Sequence, residues 1–258
     1  MKIALLLAAY GSANPYSQRA IYSFGAMCRQ KFPHFPVRWA FTSLLLRERM
    51  ANMRRKSDSV RKALERLWHE KYECVAIQPL QAIPGHEYQQ VCNAVGEVAS
   101  ARKMRCAIGR PLLSTPCEAP EVARALLAHL PADRKSDEDV VLMGHGARHE
   151  ACSLYNYLAI ELARLDKRVY LGTMSPPNEL ETIIPSLVSE VVWLMPLLSV
   201  VGKHAINDMA GSAADSWRSR IEAVGRRCNP VLKGISEYAS VADLWLGNLG
   251  KAVDFLKD

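Results

Sequence analysis

The sequence predicts an α/β protein made of two similar doubly wound parallel sheets that face one another across an active-site cleft. Three observations indicate this fold class. Apolar runs typical of buried strands alternate with helix-like stretches, the runs fall into two sets of four, and a segment of the first half recurs in the second. Ligands of such sheets bind at the carboxyl ends of the strands, so functional residues are expected in the loops that follow them.

The eight apolar runs are separated by segments long enough for a helix, so neighbouring strands are expected to be parallel. The predicted strands are residues 3–9, 37–41, 74–80, 104–108, 140–143, 169–171, 191–195 and the weakly apolar 230–232. Helical periodicity predicts helices over residues 18–32, 57–69, 87–99 and 119–130.

An internal repeat supports two halves of the same design. ECVAIQPLQAIPGHEY at 73–88 aligns without gaps with EVVWLMPLLSVVGKHA at 190–205, which places Glu87 on His204. The segments of the first and the fifth strand also align, and the matching segments come in the same order in both halves. We therefore infer an internal duplication. The expected halves are residues 1–131 and 132–258, and the C-terminal helix is free to pack back on the first half.

Composition narrows the class of protein. The formal net charge of +7 favours a polyanionic partner but does not choose among nucleic acid, acidic lipid and a small polycarboxylate. Seven cysteines, none in a CxxC pair, are typical of a reducing compartment. The apolar start resembles a short signal peptide, but a buried first strand is favoured because a similar segment recurs within the chain. We therefore expect a cytoplasmic protein without a membrane partner, and a homo-oligomer is compatible with the sequence.

The most informative stretch is DVVLMGHGARHE at 139–150. Its apolar run ends at Gly144-His145-Gly146, which predicts a strand followed by a tight turn that holds one imidazole. Glycine on both sides leaves little side-chain mass to bury this ring, so a functional histidine is favoured over a buried structural one. The aligned turn of the first half carries Tyr10.

If the strand-end loops of both halves meet at one crevice, a carboxylate and two imidazoles converge there. Such a set binds first-row divalent metals, and open coordination positions suit a site that transfers its metal. The expected crevice residues are Tyr10, Ser43, Glu87, His145, Ser175 and His204.

Two more histidines lie near these positions in the sequence. His149 follows His145 by four residues, a spacing that can give two ligands on one helix face, but His145 precedes the helix. A solvated first-turn histidine is therefore favoured for His149. His86 adjoins Glu87, and adjacent residues tend to point apart.

A basic stretch at 47–67, RERMANMRRKSDSVRKALERL, raises the alternative of nucleic-acid binding. It has no interleaved aromatic residues and no recognition motif, so a solvated helix with its approach loop is favoured. Its place after the second strand would put Arg47 or Arg49 at the crevice rim, where a guanidinium suits ligand carboxylates. Neither GxxxxGK[ST] nor GxGxxG occurs, so no nucleotide is predicted.

Six segments resemble the anaerobic-type sirohydrochlorin cobaltochelatases, a family of class II chelatases related to ferrochelatase-like enzymes. The matching segments, in the family's order, are AAYGSA (8–13), AFTS (40–43), VAIQPLQAIPGHEY (75–88), RPLLS (110–114), VVLMGHGARH (140–149) and LMPLLSVVGKHAINDMAGSAADSW (194–217).

The resemblance implies ATP-independent insertion of Co2+ into sirohydrochlorin (factor II) in anaerobic cobalamin biosynthesis, on a two-domain flavodoxin-like fold. It implies that His145, His204 and Glu87 bind the substrate metal. His145 is expected to accept a pyrrole proton, because an imidazole gains and loses protons near neutral pH. Glu87 would orient it, take the second proton or steer the cation. The expected substrate contacts are Tyr10, Ser12 and Arg47.

One departure from the family pattern affects the metal site. Several members carry a glutamate just after the sixth strand, where this chain reads GTMSPPNE and has Ser175. Glu87 or the nearby Glu179 would then supply the missing charge.

Three alternatives remain open at this level. A histidine-rich site does not strongly discriminate among first-row ions, so iron or nickel insertion keeps the same fold with another metal. A non-catalytic tetrapyrrole or metal carrier would bind without turnover. A two-lobed small-ligand binding protein is disfavoured because no convincing signal peptide precedes the first strand.

Overall fold

The first four strands form a parallel sheet. In the computed structural model, which describes residues 2–12, 14–146, 149–175 and 179–258, these strands pair in the order β2-β1-β3-β4. They are β1 (Ile3–Ala9), β2 (Val37–Phe41), β3 (Cys74–Pro79) and β4 (Arg105–Ile108). Every residue of β1 and β3 is buried, which explains why both strands read as continuous apolar runs and not as alternating ones.

The second sheet repeats this topology. Its strands are β5 (Asp139–Gly144), β6 (Val169–Thr173), β7 (Val191–Leu197) and β8 (Arg227–Pro230), paired in parallel in the order β6-β5-β7-β8. In each sheet the first strand in sequence, β1 or β5, is one of the two central strands, as in other doubly wound folds. The predicted fold class, two similar parallel-sheet α/β halves, is confirmed.

Helices lie between successive strands, and a last helix follows β8. They are α1 (Pro15–Lys31), α2 (Leu44–Asn52), α3 (Val60–His69), α4 (His86–Arg102), α5 (Ala119–Leu127), α6 (Ser153–Leu165), α7 (Leu180–Ile183), α8 (Trp217–Ala223) and α9 (Ala239–Lys257). Serine side chains cap three of them: the hydroxyls of Ser43, Ser59 and Ser216 accept backbone N–H groups from the first turns of α2, α3 and α8. A π-helix, His204–Met209, follows β7.

The chain forms two compact units, each with its own core. The first comprises Met1–Leu112 and Ala242–Asp258, and therefore includes α9, whereas the second comprises Leu113–Val241. In the first, one sheet face packs against α3 and α4. On α1 and α9, Phe24 and Trp245 meet edge to face with ring centroids 6.1 Å apart. In the second, β5 and β7 pack against α7 and α8. The boundary expected at residues 131 and 132 stays a prediction.

Two elements differ from the sequence expectation. The eighth strand is Arg227–Pro230, not residues 230–232, because its polar residues occupy a sheet edge where one side of the strand has no partner. The basic stretch at 47–67 contains parts of two helices, α2 and α3, where one helix with an approach loop was expected. Ser43 begins α2 by accepting the N–H of Leu46 at 3.2 Å.

Among the residues that the structure describes, no helix is long and apolar enough to cross a membrane.

Candidate metal site

The turn after β5 holds one predicted ligand, His145, in an exposed position. Gly146 has a φ of +68°, in the left-handed region that favours glycine. A Cβ placed on it would lie 3.0 Å from Thr173 Cβ and 3.1 Å from the Ser175 carbonyl oxygen. The imidazole beside it is exposed, so the structure excludes the buried structural histidine that the sequence left open. The glycine allows the turn to pack closely on the end of β6.

The hydrogen bonding of His145 assigns its tautomer. Its Nδ1 lies 2.8 Å from the carbonyl oxygen of Gly146. A carbonyl oxygen only accepts, so Nδ1 carries the hydrogen and donates it. In the neutral ring, Nε2 then keeps a lone pair, which is the form that binds a metal or accepts a proton.

The second predicted ligand, His204, begins the π-helix that follows β7. The helix is anchored through Ala205 and Met209, which are fully buried, and the Ala210 N–H donates to the Ala205 carbonyl at 3.2 Å. His204 and Asp208 are 45% and 46% exposed, and His204 Nδ1 lies 2.6 Å from Asp208 Oδ2. An ionised carboxylate only accepts, so Nδ1 donates here too, and in the neutral ring Nε2 keeps its lone pair.

The structure brings the two histidines together. The ring centroids of His145 and His204 are 5.0 Å apart, and the ring planes are nearly perpendicular, at 86°. Imidazole nitrogens bind first-row divalent ions at about 2.0–2.1 Å, so rings this close can share one ion after small side-chain rotations. Both come from the second unit, at the carboxyl ends of the two central strands, β5 and β7.

No third side chain completes a metal cluster within the described parts of the chain: no group of three His, Cys, Asp or Glu residues there is arranged to hold an ion. The Asp208 carboxylate is engaged by the His204 Nδ1–H. If the two histidines bind a metal ion, they alone would leave most of its coordination positions open.

Ser175, which stands where the resemblance led us to expect a glutamate, lies against the His145 turn. The Ser175 backbone borders the space at Gly146, and the Thr173 hydroxyl donates to the Ser175 carbonyl at 2.5 Å. Glu179, the other carboxylate considered, is exposed at the start of α7 and makes no side-chain cap there. The residues between them, 176–178, lie outside the described chain.

The remaining predicted residues belong to the first unit, where they follow successive strands. Tyr10, which follows β1, is 52% exposed, and the next residue, Gly11, has a φ of +84°. Ser12 accepts the Asn14 N–H at 3.2 Å and so stabilises this turn. Glu87 is half-buried in the first turn of α4, where the helix dipole favours a negative charge.

Arg47 has a contact that the sequence did not suggest. Its Nη1 donates to the carbonyl oxygens of Phe41 and Thr42 at 2.6 and 2.8 Å, which fixes α2 to the end of β2. Beside it, α2 exposes two leucines, Leu44 and Leu45, and a cationic surface follows from exposed residues at 49 and, beyond the end of α2, at 54–56. Sequence periodicity could not identify the start of α2 because its leucines are exposed and do not face the core.

The other two histidines near the site are placed differently from His145. His149 precedes the 3-10 turn Glu150–Cys152, and its Nδ1 accepts the Ala151 N–H at 3.0 Å. His86 is the exposed first residue of α4.

The tyrosine next to Glu87 is partly buried. Burial and then the Cys92 thiol raise the pKa of Tyr88 to about 12. Tyr88 therefore stays neutral near pH 7.

Asp208 is the site residue that the sequence analysis missed. The signal was present as HAIND at 204–208, because an acidic residue four positions after a histidine lies on the same side of a helix.

Comparison with known proteins places this geometry in a family. A family model described as cobalt chelatase (CbiK) matches residues 3–254. A protein of Nitratidesulfovibrio vulgaris (strain Hildenborough) named sirohydrochlorin cobaltochelatase CbiKC is 48% identical over 264 residues, covering 100% of this chain and 93% of that protein. A sirohydrochlorin cobaltochelatase of Salmonella typhimurium (strain LT2) is 33% identical and covers 98% and 97%.

A solved structure shares the fold. SirB from Bacillus subtilis with Fe3+ has a TM-score of 0.68 at 15% identity, covering 100% of this chain and 98% of that one. Similarity at this level of identity concerns the fold alone. The family model and the two relatives align over nearly the whole chain, and the resemblance noted in the sequence is thereby confirmed: the chain belongs to the cobalt chelatase (CbiK) family.

Proposed function

We propose that this protein is a sirohydrochlorin cobaltochelatase that inserts Co2+ into its macrocycle without ATP, in anaerobic cobalamin biosynthesis. The observation that carries the proposal is the pair His145 and His204, whose rings lie 5.0 Å apart with both Nδ1 hydrogens engaged. Family membership over residues 3–254 supports the same activity. Co2+ is a substrate of this reaction, and no nucleotide takes part.

The two imidazoles present Co2+ to the macrocycle through their Nε2 atoms. Two protein ligands leave positions of the ion open, so pyrrole nitrogens can replace the protein ligands without a fully coordinated intermediate. As Co2+ leaves His145, its freed Nε2 lone pair becomes available to accept one pyrrole proton. The macrocycle loses two protons and gains one divalent cation, so charge balances.

We propose Glu87 as the carboxylate that acts with His145. Its support is the repeat, which aligns Glu87 with His204, and its position in the first turn of α4, directly after the loop that follows β3. It would steer the cation or take the second proton. This role compensates for Ser175, which offers a hydroxyl where several family members have a carboxylate.

The substrate contacts proposed are Tyr10, Ser12 and Arg47. The support comes from exposed apolar side chains and positive charge. Near the strand ends of the first unit lie an exposed tyrosine, the exposed leucines of α2 and a cationic surface. Such a surface suits a flat, apolar macrocycle that carries carboxylates on its rim. Because Arg47 Nη1 is bound to the backbone, Nη2 and Nε are the atoms proposed for a carboxylate.

The decisive experiment follows the absorbance of sirohydrochlorin mixed anaerobically with protein and Co2+, with Fe2+ and Ni2+ in parallel. We expect rapid conversion with Co2+ that His145→Ala abolishes. His34→Ala is the matched control, because it removes an exposed histidine that precedes β2. Metallation no faster than in the protein-free mixture would refute a chelatase and leave a carrier. Faster conversion with Fe2+ or Ni2+ would show that this ion, and not Co2+, is the preferred metal substrate.

A second experiment tests Glu87 and Arg47 separately. Glu87→Gln keeps the shape of the side chain and removes its charge, so we expect a lower maximal rate with little change in sirohydrochlorin affinity. Arg47→Lys is expected to weaken sirohydrochlorin binding, since an ammonium cannot reproduce the guanidinium contacts. Wild-type rates in Glu87→Gln would remove this residue from the reaction.

A further inference from the structure

The contact between His204 and Asp208 is a short hydrogen bond between two partly exposed side chains. The distance of 2.6 Å between Nδ1 and Oδ2 is short for a nitrogen–oxygen hydrogen bond, as expected when an imidazole N–H meets an ionised carboxylate. Both side chains are nearly half exposed, so the pair contributes little to the stability of the fold. The effect of this contact is therefore expected on the tautomer and orientation of the imidazole.

His204 and Asp208 lie on the same side of the π-helix, as residues four positions apart do in an α-helix too. Single π-helical turns recur at functional sites. The opposite side of this helix is fixed by the buried residues Ala205 and Met209. At its end only glycine fits at position 211, because an added Cβ would collide with the Asn207 carbonyl oxygen. The backbone thus holds His204 and Asp208 side by side and facing outward.

We propose that Asp208 is a positioning residue of the chelatase reaction: it keeps His204 in the Nδ1–H tautomer, with the Nε2 lone pair directed to Co2+. This inference rests on the proposed function. Histidines that bind metals commonly donate their other N–H to a carboxylate or carbonyl, which fixes the ring and makes it a stronger ligand. His145 obtains the same tautomer from the Gly146 carbonyl, so both rings present the same nitrogen.

Two variants separate positioning from a structural role. Asp208→Ala removes the acceptor, and Asp208→Asn keeps the shape of the side chain but removes its charge, with an amide that can accept from Nδ1 or donate to it. Glu222→Gln is the matched control, because Glu222 accepts from Arg218 across the same i, i+4 spacing on an exposed face of the same unit. We expect similar thermal stability for all three.

The first readout is the ring 15N spectrum of metal-free protein, with the His204 signals assigned by their loss in His204→Gln. Wild type and Glu222→Gln should show a protonated Nδ1 and an unprotonated Nε2. Asp208→Ala, which leaves Nδ1 without its acceptor, should lose this preference. A wild-type ring protonated on Nε2, or an unchanged tautomer in Asp208→Ala, would overturn the inference.

The second readout is Co2+ affinity, measured by competition with a chelator. We expect a 10- to 100-fold loss in both Asp208 variants and none in Glu222→Gln. Equal affinities in all proteins would overturn the inference. A wild type that has the expected tautomer and binds Co2+, yet never metallates sirohydrochlorin, would refute the proposed function and leave Asp208 as a positioning residue of a cobalt-binding site.

Discussion

Replacing Gly146 by alanine should damage both the turn that carries His145 and the affinity for cobalt. The residue has a positive φ, and an added Cβ would meet Thr173 and the Ser175 backbone at 3.0–3.2 Å. Gly225 offers a matched control, because its φ is +82° but an added Cβ meets nothing within 4 Å. The two substitutions share the backbone strain and differ in the crowding.

The expected magnitudes follow from these two contributions. A left-handed alanine costs about 1–2 kcal/mol, and the reduced freedom of the unfolded chain returns about 0.4–1 kcal/mol, so Gly225→Ala should cost about 1 kcal/mol. Crowding adds about 1–3 kcal/mol at Gly146, where backbone atoms cannot rotate away. Gly146→Ala should therefore cost about 2–4 kcal/mol, which a domain of ordinary stability survives.

Urea unfolding at equilibrium measures the free energy of unfolding, and chelator competition measures Co2+ affinity in the same proteins. The Gly146 carbonyl accepts from His145, so a displaced turn should weaken Co2+ binding about tenfold in Gly146→Ala and leave Gly225→Ala unchanged. If Gly146→Ala were no less stable than Gly225→Ala and bound Co2+ normally, the close packing of this turn would not matter to the site.

Three further predictions concern protonation in the fold. Burial raises the pKa of Asp166, but the hydrogen bond and charge of Arg134 and a second arginine outweigh it and hold this pKa below its usual value. Asp166→Asn should therefore lower the free energy of unfolding by about 1.5–3 kcal/mol near pH 7. Acid-unfolding curves should show that this difference between variant and wild type shrinks as the pH falls below about 4. Burial also lowers the pKa of His129, so the unfolded chain binds a proton first and stability should fall as the pH drops below about 6.5. The drop in unfolding free energy between pH 7.5 and 5.5 should be smaller in His129→Gln, and an equal drop would contradict the assignment. Burial raises the pKa of Cys28 to about 12, so mass spectrometry after thiol labelling should find the exposed Cys117 modified and Cys28 unmodified until urea unfolds the chain.

The sequence predicts the central strands well because burial on both faces leaves an unmistakable pattern. β1, β3 and β7 are buried on both faces, so apart from Gln78 their residues are apolar without alternation. β8 lies at a sheet edge and reads RCNP, which has no such pattern. Its bounds depend on pairing with β7, and long-range pairing is not encoded in the local sequence.

The helix α2 was not predicted for a related reason. Helical periodicity assumes that apolar residues face the core, whereas Leu44 and Leu45 are 60% and 66% exposed. The start of the helix was readable in principle from the serine cap at Ser43. A local rule was broken here at a surface proposed to meet the substrate, as is common at functional sites.

Of the candidate metal site, the sequence could identify the two histidines. The glycines flanking His145 indicate a tight turn, and the repeat identifies His204 as the residue at the matching strand end. The tautomers, the π-helix and the role of Arg47 in fixing α2 were not predictable, because each depends on backbone atoms brought near by the fold. The placement of Glu87 in the reaction stays a prediction.

The unequal partners of the two imidazoles give the proposed transfer a direction. The Gly146 carbonyl that holds His145 has no net charge, whereas the Asp208 carboxylate that holds His204 does. In the proposed transfer, a divalent cation between the rings would therefore be held more strongly on the His204 side, and its bond to His145 would break first. The lone pair freed on His145 would then be the one that takes up a pyrrole proton. Release of the metal and deprotonation of the macrocycle would be two results of a single event.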